Sequence, residues 1–66
     1  MYANLKALMA AKGISIDSVA NLLNVHRNTV ANKLDGDSEF TYAQAELIQE
    51  TIFPEYTARY LFRRVS

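Results

Sequence analysis

Apolar residues in this chain return every third or fourth position rather than on alternate positions, and that spacing predicts helices. Leu5, Leu8 and Met9 form the stripe of a first helix running roughly from Tyr2 to Lys12. Gly13 ends it, because glycine takes a left-handed backbone without a Cβ penalty. Ser15 offers a capping hydroxyl to a second helix over about 16–23, and Asp17 lies in its first turn, where a negative charge suits the helix dipole. A third helix covers about 26–34 and stops at Asp35-Gly36, before a polar loop, Asp37-Ser38-Glu39. Thr41-Tyr42-Ala43-Gln44 has the form of a capping box and opens a fourth helix. Ala45, Leu47, Ile48 and Ile52 would be its buried side, with Glu46 and Glu50 one turn apart on the wet side and Pro54 as its stop. Thr57 caps a last short helix carrying Tyr60, Leu61 and Phe62. The expectation is an all-α chain: one domain over 1–66, a compact five-helix bundle.

The second and third helices carry the most informative spacing, in IDSVANLLNVHRNTVANKLD over 16–35. Two short helices that cross steeply need a small residue where their backbones meet, and Ala20 supplies it. They need a left-handed residue at the turn, for which Asn24 is the best non-glycine choice. Val19, Leu23, Val25 and Val30 fall where the angle must be closed from inside. This is the spacing of a helix-turn-helix, whose second helix can lie in the DNA major groove. Its exposed side would present His26, Arg27, Asn28 and Asn32.

Composition narrows the possibilities. A chain of 66 residues has one small core and is near the lower size limit for folding unaided. It has no cysteine, so packed side chains must supply the stability, and half of its residues are apolar. Apolar runs of only a few residues exclude a membrane span or signal sequence, and a cytoplasmic location is expected by default. Formal net charge is zero, which on its face argues against nucleic acid. The distribution is uneven. Residues 1–34 hold Lys6, Lys12, Arg27 and Lys33 against Asp17, a net +3, whereas 35–66 carry a net −3. The half with the helix-turn-helix is expected to keep a basic face.

Taken together, NLKALMAAKGIS, VANLLNVHRNTVANKLDG and FTYAQAELI resemble the lambda-repressor and Cro-like helix-turn-helix family, and more narrowly small phage or prophage repressors of Gram-positive bacteria. The ending TIFPEYTARYLF is similar to the tails of those proteins. The resemblance implies base contacts from the first, second and sixth residues of the third helix, here Arg27, Asn28 and Asn32, with His26 at the cap. Three positions depart from the pattern. Met9 and Leu34 stand where many members carry a buried arginine–glutamate pair, so an apolar contact is expected instead. Lys33 replaces a common apolar residue and would reach a phosphate or solvent. Asp37 occupies a place where a cation is frequent, which argues against a phosphate contact from that loop.

Each candidate has a plainer reading beside it. Arg27 could grip guanine bidentately or merely meet a phosphate or water. Asn28 and Asn32, four apart and beside Thr29, could each pair with adenine or simply keep a helix face wet. Helix amides near Ser15, Ile16, Thr41 and Tyr42 would hold phosphates, with His26, Thr29 and Lys33 as further backbone or capping residues. A lone histidine without ligand partners makes no metal site, and Asp35-Gly36-Asp37 lacks the later ligands of a calcium loop. Glu46 and Glu50 read as solvated surface. No nucleophile–base pair or phosphate-cradling loop is present, so neither an enzyme nor a cofactor nor a small-molecule ligand is expected. Phe53, Tyr56, Tyr60 and Phe62 are read mostly as core, in part as a dimer surface. The reading is a DNA-binding regulator of repressor or Cro type, a weak homodimer strengthened on a palindromic operator. Its rival is a protein-interaction module on the same scaffold, favoured by the neutral total charge and Asp37.

Overall fold

A side-chain cap opens every helix but the first. In a computed structural model, which describes residues 1–64, five helices follow in order: α1 (Ala3–Lys12), α2 (Ile16–Leu23), α3 (Arg27–Asp35), α4 (Tyr42–Thr51) and α5 (Ala58–Leu61), with no strand among the described residues. The Ser15 hydroxyl accepts the Ser18 amide at 3.0 Å, and Thr57 accepts that of Tyr60 at 3.1 Å. Thr41 and Gln44 close the capping box in both directions, at 3.1 and 3.0 Å. His26 lies outside α3 as its cap, and Gly36 ends that helix at φ 93°. α1 starts one residue later than the spacing indicates. Tyr2 is drawn off the helix instead, its side chain buried and its amide bonded to the Leu34 carbonyl at 3.2 Å.

The turn between α2 and α3 rests on Asn24, the one non-glycine residue with positive φ among those described, at φ 58° and ψ 46°. The Val25 amide returns to the Ala20 carbonyl and that of Asn24 to Asn21, at 3.0 and 3.3 Å. That pair of bonds is a Schellman closure, which needs its left-handed residue where Asn24 stands. Ala20, Val19 and Val30 are buried beneath it, while Leu23 and Val25 are half-buried. Replacing Ala20 with Leu should overpack the α2 side of the core and cost about 1–3 kcal/mol. Asn24→Gly should be neutral or mildly stabilising, since glycine takes this backbone freely. Thermal melts check both; an unchanged midpoint for Ala20→Leu would place the helix crossing elsewhere.

One core joins all five helices through Tyr2, Leu5, Met9, Val19, Ala20, Val30, Leu34, Ile48, Phe53 and Leu61. Met9 and Leu34 are both buried and line the same groove. One expectation about the core is corrected. Leu47 is 39% exposed: Ile48 fixes the inward face of α4, and Leu47 shares the opposite flank with Ala43, Glu46 and Glu50. The aromatic tail also divides. Phe53 is fully buried and Tyr56 half-buried, but Tyr60 is 43% exposed. Phe62 leaves that group and closes a triangle with Tyr2 and Phe40, ring centroids 5.3–5.9 Å apart. The same corner ties the chain ends to the loop after α3. Arg64 pairs with Glu39, donates to the Gly36 carbonyl at 3.3 Å and lies over the Tyr2 ring. Asn4 donates to the Tyr60 carbonyl at 2.9 Å.

Candidate nucleic-acid interface

Val30 and Leu34, four apart, turn one side of α3 into the core and thereby fix what the other side shows. Asn28 and Asn32, also four apart, are exposed opposite them. Arg27 is exposed at the start of the helix and its guanidinium lies 3.3 Å from the Asp17 carboxylate of α2. Thr29 is half-buried on one flank. Asp35 is exposed as well and holds Lys6 at 3.3 Å, so the far end of the helix carries a matched charge pair.

His26 does two jobs with one ring. Its Nδ1 accepts the Asn28 amide at 3.1 Å, which satisfies one of the donors that a helix start leaves open. An acceptor Nδ1 requires the neutral tautomer with its proton on Nε2, so the exposed edge of the ring is a hydrogen-bond donor. His26→Ala should remove the cap and lower stability by about 0.5–2 kcal/mol, whereas His26→Asn should keep it. Melting curves separate the two variants, and nitrogen NMR of the imidazole checks the tautomer. Equal losses for both would mean that the ring does not cap α3.

The other helix starts differ in what they leave open. At α2, Ser15 is engaged by the Ser18 amide and hydroxyl, and Ile16 is half-buried while opening the first turn. At α4, the Thr41 amide is already taken by Gln44, so the open donors begin at Tyr42, whose side chain is 83% exposed. Lys33 neither reaches outward nor floats in solvent. Its ammonium donates to the Glu39 carbonyl at 2.7 Å and sits 5.8 Å from the Phe40 ring centre.

The expected basic face is corrected by the fold. Lys6 meets Asp35, Lys12 meets Glu55, Arg27 meets Asp17, and Lys33 is tied to the Glu39 carbonyl. Acids counted in the negative half of the sequence return in space to the positive half. A linear count cannot see that, because the Lys6 and Lys12 partners are 29 and 43 residues away. The hydrogen bond from Lys12 holds the Glu55 carboxyl below its ordinary range. Ion pairs this exposed contribute little to stability.

A groove of about 210 Å³ lies between α1, the start of α2 and the end of α3, lined by Lys6, Met9, Ala10, Ile14, Ile16 and Leu34. No group of three or more potential metal ligands occurs among the described residues. No helix among them is long and apolar enough to cross a membrane. Comparison of the chain with family models, with curated proteins and with solved structures finds no match in any of the three.

Proposed function

We propose that the chain is a sequence-specific DNA-binding regulator of transcription, of repressor or Cro type, in which α2 and α3 form a helix-turn-helix. One observation carries the reading: a left-handed Asn24 joins two short helices, and the second of them turns Arg27, Asn28 and Asn32 to solvent. The resemblance of residues 16–35 to lambda-repressor and Cro-like sequences supports it. In this reading α3 enters the major groove. Arg27 pairs with guanine, and Asn28 and Asn32 pair with adenine. The His26 Nε2–H donates to a phosphate or base acceptor beside them. Backbone amides at the starts of α2 and α4, around Ile16 and Tyr42, hold phosphates and set the register. Two copies sit on a (pseudo)palindromic operator, about one helical turn apart. The chain works in the cytoplasm by binding alone, with no catalysis, cofactor or small ligand.

A second reading is a protein-interaction module on the same scaffold. The ion pairing of three of the four Lys and Arg side chains of residues 1–34 favours it, since Lys33 alone of them keeps a charge that no acid opposes. Selection of duplexes from a random pool by the purified chain separates the two. A regulator enriches one site and binds it with an affinity that falls steeply with salt. No enrichment, together with salt-insensitive or absent duplex binding, would favour the interaction module.

A further inference from the structure

One side of α4 has no cover in the fold. Ile48 turns that helix into the core, whereas Tyr42, Ala43, Glu46, Leu47 and Glu50 are all exposed. Those five stand at i, i+1, i+4, i+5 and i+8, which is one continuous face of a helix. The last four of them line a shallow groove of about 310 Å³. The capping box at Thr41 and Gln44 fixes the start of the helix, so the groove is presented ready-made.

The chemistry of this face is not that of an ordinary wet surface. A solvated helix gains support when a lysine or arginine stands four residues from a glutamate. α4 contains no lysine, arginine or histidine, and its two glutamates stand four apart, a like-charge spacing that works against the helix. The fold brings no cation to them either. Asp17, Asp35, Glu39 and Glu55 each have a basic partner, whereas Glu46 and Glu50 have none among the described residues. Leu47, in the same groove, is one of the four large apolar side chains left exposed. Two unopposed carboxylates thus flank an uncovered apolar contact.

We infer that this groove binds a basic amphipathic helix of a different protein. An apolar side chain of that helix packs on Ala43 and Leu47, and lysines or arginines one turn apart meet Glu46 and Glu50. Each feature of the groove narrows the partner. Its carboxylates repel phosphate, which excludes nucleic acid as the occupant. Strand addition needs a sheet edge, and the described residues hold no strand; a proline-rich segment needs an aromatic-lined groove, and no aromatic lines this one. A helix laid along α4 has the same rise of about 1.5 Å per residue, so cations four apart match carboxylates four apart. A second copy fits poorly, because no helix of this chain carries two cations at that spacing. The apolar contact supplies affinity, and the carboxylates select charge and orientation. A helix of ten residues offers a small interface, so binding is weak and falls with salt. The exposed side of α3 takes no part, so the inference does not rest on the DNA reading.

An NMR titration of the full chain tests it, with a synthetic peptide of about 18 residues as the probe, long enough to be helical alone. The peptide carries leucines along one side and arginines four apart beside them. Amides of residues 43–50 should shift, with a dissociation constant of about 10–500 μM at about 50 mM salt and weaker binding at about 500 mM. A scrambled peptide of the same composition should bind about tenfold more weakly or worse. The double variant Glu46→Gln with Glu50→Gln, and separately Leu47→Ser, should each weaken binding about tenfold or more. Asp37→Asn removes another exposed acid without a basic partner, and should leave binding within about twofold. Circular dichroism checks that each variant folds, and Leu47→Ala replaces Leu47→Ser if it does not. No binding by about 1 mM, equal binding of the scrambled peptide, or indifference to the α4 variants overturns the inference. Shifts at 46–50 on concentrating the chain alone would give the groove to a second copy. Shifts there on adding duplex DNA would give it to nucleic acid, and either result overturns the inference too.

Discussion

Phe53→Ala should leave the chain without a cooperative thermal transition, or with a midpoint lowered by well over ten degrees. Phe53 is fully buried, and α1, α4 and the turn after α4 all bond to it or pack on its ring. Its amide bonds back to the Ile48 and Gln49 carbonyls, which ends α4. The Gln49 side chain donates to the Phe53 and Tyr56 carbonyls, at 3.5 and 2.9 Å, and shapes the turn around Pro54. The ring meets Tyr56 edge-on at 6.4 Å, and the Lys12 ammonium from α1 lies 5.0 Å from its centre. Lys12 also donates to the Ile52 carbonyl at 2.7 Å, so α1 is pinned to this turn from both sides. Truncating a buried phenylalanine costs about 3–5 kcal/mol. A chain of 66 residues has a total stability of only about 3–10 kcal/mol on ordinary scaling. The loss is therefore comparable with the whole. Phe53→Leu keeps most of the volume and should cost less than half as much. Circular dichroism melts of the two variants provide the comparison, and a Phe53→Ala midpoint within a few degrees of the parent would mean that the core is centred elsewhere.

Helix ends were legible in the sequence because a cap is a local event. Ser15, Asn24, His26, Thr41 and Thr57 each act within four residues of their own position, so nothing distant can overrule them. Leu47 was not legible for the opposite reason. α4 has apolar residues on two flanks, and packing against α2 and α5 decides which flank is covered. Tyr2 and Phe40, at the two ends of the first forty residues, gave no periodic signal; they matter because Phe62 arrives between them. Charge was the least legible property. The residue types implied an exposed basic half, and the fold answers with acids from tens of residues away. For the candidate site, spacing from Val30 and Leu34 already says that Asn28 and Asn32 face outward. It does not say that Lys33 is held by Glu39, because that bond depends on the path of the loop after Gly36.

If α3 reads bases, Arg27→Ala and Asn32→Ala should each weaken binding to the preferred duplex by about 1–3 kcal/mol, or roughly five- to 150-fold, and binding to random duplex much less. The asymmetry follows from what each group loses. A bidentate base contact exists only on the right sequence, whereas a phosphate contact exists on any. Arg27 adds a check of its own, because it must leave Asp17, 3.3 Å away, to reach a base. Asp17→Asn should thus tighten binding slightly, by freeing the guanidinium and removing a negative charge near the duplex. Lys33→Ala is the contrasting case. Its ammonium is held by the Glu39 carbonyl, so it should leave the specific-to-random ratio and the salt slope nearly unchanged. A lysine that did contact a phosphate would instead weaken both duplexes alike and flatten the slope by about one unit. Affinities for both duplexes at several salt concentrations, measured for all four variants, decide between these patterns. Equal losses on both duplexes for Arg27→Ala and Asn32→Ala would remove α3 from the groove, and the exposed face of that helix would then belong to a protein partner.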